Sequence, residues 1–256
     1  VVSDPLSATE CAQENAILSR IQAGAVEMTG GYFVTGPDDD PAFADKFLAG
    51  AAATGVPAQE IPVAEALRNE PRLNRGIKRA IEVLDGTVDG WQLVWGAANS
   101  AKHYGAEILT YHKVTKIDTV DGHVAAVHAT DLRSGEDVLI ETGFVLNCAG
   151  PWAGQIAAMA GAHPVDVIPG RGIMVAMSHR LVNRVVNRCI HPADGDILVP
   201  VHTVSIIGTT DVKVDDPDNL AIEPNEVQQM FDAGEVLVPG FRKARALHAW
   251  AGARPL

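Results

Sequence analysis

The 256-residue sequence has no Gly-x-Gly-x-x-Gly stretch, so the glycine loop that cradles a dinucleotide pyrophosphate is missing from it. Its three cysteines, Cys11, Cys148 and Cys189, are far apart, and no two are spaced Cys-x-x-Cys. That excludes a disulfide framework and the usual zinc and iron–sulfur patterns, and points to a reducing cytoplasm. Basic residues are scarce: 20 Lys and Arg face 32 Asp and Glu, a net charge of −12, which excludes a phosphate-backbone partner such as DNA or RNA. No apolar run approaches the ~20 residues that span a bilayer, and no basic-then-apolar leader opens the chain. Nine histidines form neither His-x-x-x-His nor His-Glu-x-x-His, and there is no Gly-x-Ser-x-Gly turn, so metal-assisted and serine hydrolysis find no support. The acidic run Asp38-Asp39-Asp40 reads as a solvated loop rather than a metal site. The first residue is Val1 and the last three are Arg254-Pro255-Leu256, and both ends read as cut from a longer protein.

The content is otherwise that of a globular protein with a sizeable core: 47% hydrophobic residues, 24 Gly and 15 Pro. Asp4 followed by Pro5 is a helix-start signal, and the apolar spacing predicts an amphipathic helix over 5–22. Further helices are expected over 41–54, 63–69, 90–104, 151–159 and 224–236. Strands are expected at 32–35, 80–84, 107–109, 113–119, 124–132, 137–140, 144–147, 165–168, 172–177, 197–200, 204–208 and 246–250, with hairpin chemistry at Asp121-Gly122 and Ser134-Gly135. The pattern implies a mixed α/β chain, mostly antiparallel after residue 160. The divisions expected are 1–84 as helices and strands of a substrate or cap region, 85–160 as a partial nucleotide-binding domain, and 161–256 as an antiparallel substrate domain.

The junction from Phe144 to Gly154 carries the most chemistry. There a strand is expected to run into Asn147-Cys148-Ala149-Gly150 and then into a helix opened by Pro151 and Trp152. At such a junction in an α/β sheet a phosphate or ring can approach bare backbone, because Ala149 and Gly150 carry nothing large enough to keep it away. The same residues also suit a tight turn chosen for packing, and an indole at a helix start is often simple core.

Four segments taken together resemble the flavin-dependent glycerol-3-phosphate dehydrogenases, within the D-amino-acid-oxidase-like flavoproteins. They are Asp85-Gly86-Thr87-Val88-Asp89, Asn147-Cys148-Ala149-Gly150-Pro151-Trp152, Ile206-Ile207-Gly208-Thr209-Thr210-Asp211 and Gly252-Ala253-Arg254-Pro255-Leu256. Val1-Val2-Ser3-Asp4, Asn187-Arg188-Cys189 and Asp194 to Pro200 are similar to the anaerobic, multi-subunit type of that family. The likeness runs over essentially the whole chain. It implies an internal piece of such an enzyme: a partial FAD-binding, Rossmann-like domain interwoven with a substrate domain on a mostly antiparallel sheet. The N-terminal strand-loop-helix with the pyrophosphate glycines, and everything after Arg-Pro-Leu, would be missing, and the piece alone would be inactive.

The resemblance further implies FAD as cofactor and sn-glycerol 3-phosphate as substrate, with electrons passing through other dehydrogenase subunits to a membrane quinone. It adds to the cytoplasmic location a peripheral position on the inner face of the cell membrane. Val114, Ala149, Gly150, Trp152 and Gly252 are the implied cofactor-contacting residues, Val114 through main-chain groups beside the adenine. Arg254 is implied to hold the substrate phosphate, for which a planar guanidinium fork is suited, and Thr209 to help fix the polyol. Asp211 is expected to hold its turn, and His191 and His202 to be ordinary loop or strand-end residues. In the aerobic relatives a histidine stands where this chain has Gly172, which leaves the general base unassigned. Two other readings stay open: a related flavoprotein acting on amino or 2-hydroxy acids, since arginine also binds carboxylate, and a non-catalytic piece that holds no flavin alone.

Overall fold

The computed structural model describes residues 2–163 and 165–255. Val1 and Leu256, which end two of the segments quoted above, lie outside them. The chain divides into two compact units.

The first unit comprises Val1–Ala97, Gly172–Asp211 and Ala221–Ala251. It opens with α1 (Pro5–Ile21), whose start is fixed by the Asp4 carboxylate accepting from the Ser7 amide at 3.0 Å, with Pro5 in the first turn. The two-residue strand β1 (Val26–Glu27) follows, then β2 (Gly31–Thr35), α2 (Phe43–Thr54), β3 (Ala58–Ile61), α3 (Val63–Asn69) and β4 (Arg79–Val83). Another two-residue strand, β5 (Thr87–Val88), pairs with β1, and α4 (Gly90–His103) begins beyond it. In the second unit the chain forms β6 (His112–Val120), β7 (His123–Asp131), β8 (Asp137–Glu141) and α5 (Ala153–Met159). It continues through β9 (Pro169–Met177), β10 (Val185–Arg188), β11 (Ile197–Val201), β12 (Val204–Gly208), β13 (Val212–Lys213), α6 (Pro224–Leu237) and β14 (Ala246–Pro255).

In the first unit the strands run in the order β9-β12-β11-β10-β2-β4-β3, and each neighbouring pair in that order is antiparallel except β10 with β2. Strand alternation sorts the side chains onto two faces. Tyr32, Val34, Ala80, Ile173, Val175 and Met177 pack with Leu73, Met230, Leu237 and Phe241 under α3 and α6, while Ile81, Val83 and Phe33 pack with Phe47 of α2. Helix α6 is held at its start by a reciprocal capping box between Glu223 and Glu226, with Pro224 in the first turn. Gly234 lets α6 lie against the Phe241 ring, since a Cβ there would sit 2.5 Å from the ring.

Buried Glu70 ties the Asn183–Arg184 loop to this core, its Oε1 accepting both amides at 2.8 Å. Burial pushes the Glu70 carboxyl above its ordinary 4.5, against the two amides that favour its ionised form. The native state therefore binds this proton more tightly than the unfolded chain. The stability it contributes is present below the unfolded pKa and is lost as pH rises through the raised folded value. Glu70→Gln keeps an acceptor for both amides and should remove that part of the pH dependence, read as urea stability of variant against native chain across pH 4–8. Parallel pH profiles would refute the assignment.

The second unit comprises Ala98–Arg171, Val212–Leu220 and Gly252–Leu256. Its sheet has the order β6-β7-β8, all antiparallel, and α5 packs on β6. The β6–β7 hairpin closes on Asp121 and Gly122, with φ of +50° and +78°, the left-handed pair that a two-residue turn of this hand requires.

Several expectations are corrected. Residues 107–109, 144–147 and 165–168 form no strand, because a strand persists only where a neighbour takes its backbone groups, and none does so among the described residues. Phe144 and Leu146 are therefore 76% and 77% exposed rather than buried. The expected apolar face of α1 buries no residue fully. Strands β1, β3, β5, β10 and β13 were not expected, and β14 runs five residues past Trp250. The acidic run is not uniformly solvated: Asp39 is 7% exposed, accepts from the Gly36 amide at 2.9 Å and pairs with Arg188. Among the described residues no group of His, Cys, Asp and Glu side chains converges as metal ligands, and no helix is long and apolar enough to cross a membrane.

Candidate functional site

In the second unit the turn from Asn147 to Ala153 is braced by one side chain. Asn147 accepts from the Ala149 amide at 3.2 Å and donates to the Ala153 carbonyl at 2.9 Å, a bridge that fixes the turn whether or not a strand precedes it. Sequence reading placed Asn147 at the end of a strand and at the head of a family segment, without this bracing role; an asparagine two residues before the turn amide was the signal for it. Gly150 sits at φ +55°, a conformation that favours glycine, and a Cβ built on it would meet nothing within 4 Å. Gly150–Trp152 forms a short 3-10 turn leading into α5, and Trp152 is 37% exposed. Gly154, by contrast, is a packing glycine, since its Cβ would fall 2.8 Å from the Val165 carbonyl oxygen.

Val114 lies on β6, opposite Ala129 of β7, and the register shifts between Val114 and Lys116. β6 is the edge of its three-stranded sheet, so its outer main-chain groups face no other strand of that sheet. On the same strand Asp118 meets Lys116 and His128, each at 2.6 Å, and these hydrogen bonds hold its carboxyl below the usual carboxylate range. Gly252 and Arg254 both belong to β14; a Cβ on Gly252 would meet nothing within 4 Å, and Arg254 is half-buried with its Nε shielded from solvent.

In the first unit the two threonines after β12 separate in role. Thr210 is buried, its hydroxyl accepting from the Ile173 amide at 3.0 Å and donating to Glu226 at 3.2 Å, which ties β9 to the start of α6. Thr209 is only half-buried; its carbonyl accepts from the Gly195 amide at 3.1 Å and its hydroxyl reaches the Thr210 carbonyl at 3.2 Å. The Gly195 loop is close to α6, where a Cβ would lie 2.6 Å from that of Ala233. Beside it, burial pushes the Asp196 carboxyl up, eased by the Ala193 amide. Asp211 is exposed, Gly172 stands in β9, His191 is exposed, and His202 lies 3.5 Å from Asp89.

The second unit thus holds Val114, Ala149, Gly150, Trp152, Gly252 and Arg254, and the first holds Thr209. Gly150 and Gly252 both present backbone to open space that a side chain would fill. Bare backbone there leaves room for a flat cofactor such as FAD, as it does at other open glycines such as Gly24, Gly90 and Gly143.

A family model described as FAD dependent oxidoreductase, DAO, matches residues 6–256. The A1 subunit of the anaerobic glycerol-3-phosphate dehydrogenase of Haloferax volcanii is 42% identical over 264 aligned residues, covering 100% of this chain and 45% of that protein. The corresponding subunit of the Escherichia coli K12 anaerobic enzyme is 38% identical over 257 residues, covering 100% of this chain and 47% of that protein. The chain therefore spans about half the length of the curated relatives it matches. Among solved structures, L-proline dehydrogenase from P. horikoshii superposes with a TM-score of 0.83 at 22% identity, covering 98% of this chain and 67% of that one. The FAD-bound L-alpha-glycerophosphate oxidase from Mycoplasma pneumoniae gives 0.77 at 20% identity, covering 91% and 62%. At those identities the structures establish the fold, and the family match with the two dehydrogenase sequences establishes the rest: the chain belongs to the DAO family of FAD-dependent oxidoreductases.

Proposed function

We propose that this chain is part of an enzyme that oxidises sn-glycerol 3-phosphate to dihydroxyacetone phosphate. The observation that carries the reading is identity of 42% and 38% to two anaerobic glycerol-3-phosphate dehydrogenase subunits over the whole chain. FAD, when bound, supplies the hydride acceptor, which no side chain here provides. Ala149, Gly150, Trp152 and Gly252 give it main-chain surface, and the edge strand carrying Val114 offers backbone groups to the adenine. Arg254 holds the substrate phosphate through paired, charge-assisted hydrogen bonds, and Thr209 orients a hydroxyl of the polyol. The electrons leave to partner subunits and a membrane quinone, with the protein lying peripherally on the cytoplasmic face of the membrane.

The test uses the full-length enzyme under anaerobic conditions. Adding sn-glycerol 3-phosphate should bleach the ~450 nm band of the oxidised flavin, which the bound cofactor itself contributes. Glycine, proline and lactate should leave it unchanged. Bleaching by an amino or 2-hydroxy acid, with none by glycerol 3-phosphate, would move the enzyme to another branch of the family.

A further inference from the structure

The first unit contains a cavity of about 820 Å³ between α1, α2 and the end of β4, lined by none of the residues given a cofactor or substrate role above. This is within the size range of small-molecule sites. Its walls combine apolar Ala12 of α1, Met28, Phe33 of β2 and Phe47 of α2 with polar side chains of α1 such as Gln13 and Asn15. Among the described residues its only ionisable lining groups are Cys11 and Asp85, and no basic side chain lines it. Asp85 is held in place by close packing: the Cβ that Gly31 lacks would lie 2.7 Å from that of Asp85. One carboxyl oxygen accepts from the Gly86 amide at 2.8 Å. Burial pushes the carboxyl above the ordinary carboxylate value, with that single amide opposing the shift.

We propose that this cavity binds a small apolar molecule bearing a basic nitrogen, with the Asp85 carboxylate as its counter-ion. An ionised acid withdrawn from water is poorly solvated, and an ammonium compensates the lost hydration as a charge-assisted pair while the rest of the ligand lies against Met28, Phe33 and Phe47. An anionic ligand meets repulsion. A neutral one of the same shape leaves the carboxylate without a counter-ion.

Cys11 supplies the readout. The 256-residue chain is treated with iodoacetamide, and alkylation of Cys11 is followed by peptide mass spectrometry, with exposed Cys148 of the other unit as internal reference. At ten times its dissociation constant, 2-phenylethylamine should slow Cys11 labelling about tenfold, as occupancy requires, and leave Cys148 unchanged. 2-Phenylethanol, which has the same body without the charge, should bind at least about tenfold more weakly. Amine protection should strengthen as pH rises through the Asp85 titration, because only the ionised acid holds the cation. Asp85→Asn, with its thermal melt checked, should erase the difference between the two probes. Equal protection by both probes in the native chain, better protection by the alcohol, or no protection by the amine at about 10 mM would each overturn the proposal. The comparison of probes in the native chain needs no variant, no flavin and no turnover.

Discussion

Replacing Arg254 with alanine in the full-length enzyme is expected to lower kcat/KM for sn-glycerol 3-phosphate about 100-fold, the effect of losing charge-assisted hydrogen bonds worth about 3 kcal/mol. The same change should alter kcat/KM for unphosphorylated glycerol by less than about threefold, because that substrate never made the contact. The half-buried position on β14, with Nε out of solvent, makes this guanidinium more effective than a surface arginine, since fewer waters compete for the anion. Arg254→Lys should recover only part of the loss, because an ammonium keeps the charge without the planar fork. Equal losses on glycerol and glycerol 3-phosphate would place Arg254 in the structure of β14 rather than on the phosphate.

Local chemistry was legible where it acts alone. Asp4 and Pro5 start α1, Gly55 at φ +69° ends α2, and Asp121-Gly122 turns β6 into β7, each a signal readable within a few residues. What needed a partner was read less well. Val185 to Arg188 form β10 because β2 and β11 lie on either side of them, and nothing in their own composition announces those neighbours. Phe144 to Asn147 have the opposite history: apolar enough to read as a buried strand, they form none, for want of a strand to pair with. Asp39 was read from its two acidic neighbours, yet its environment is set by Arg188, 149 residues away in sequence.

The candidate site shows the same division. The Gly-Thr-Thr-Asp and Gly-x-Arg-Pro-Leu segments pointed to the family from sequence, and the family match bears that out. The sequence reading singled out Thr209 of the two adjacent threonines, but the physical reason that the pair differs was not readable. It depends on the Ile173 amide and the Glu226 carboxyl, which claim the hydroxyl of Thr210 and leave Thr209 half-exposed.

The same reasoning makes Gly252 the more incisive of the two glycines on which the cofactor assignment rests. At Gly150 a valine would be strained by the φ of +55° whatever lies nearby, so lost flavin and lost fold would be confounded. Gly252 lies in β14 without that constraint, in backbone that a β-branched residue accepts, and its missing Cβ would touch nothing in the protein. Gly252→Val should therefore leave the stability of the 256-residue chain within about 0.5 kcal/mol of the parent, as for a substitution at an uncrowded position. In the full-length enzyme the same valine would stand where the cofactor approaches the main chain. Overpacking of about 1–3 kcal/mol translates into FAD bound about 5- to 150-fold more weakly, read as flavin content after dialysis and as the dissociation constant from titrating the apoenzyme. Weakened flavin binding with an unchanged melt is the signature of a surface kept bare for a ligand. Full flavin content in Gly252→Val would remove Gly252 from the cofactor site and leave the glycine to the folding of β14.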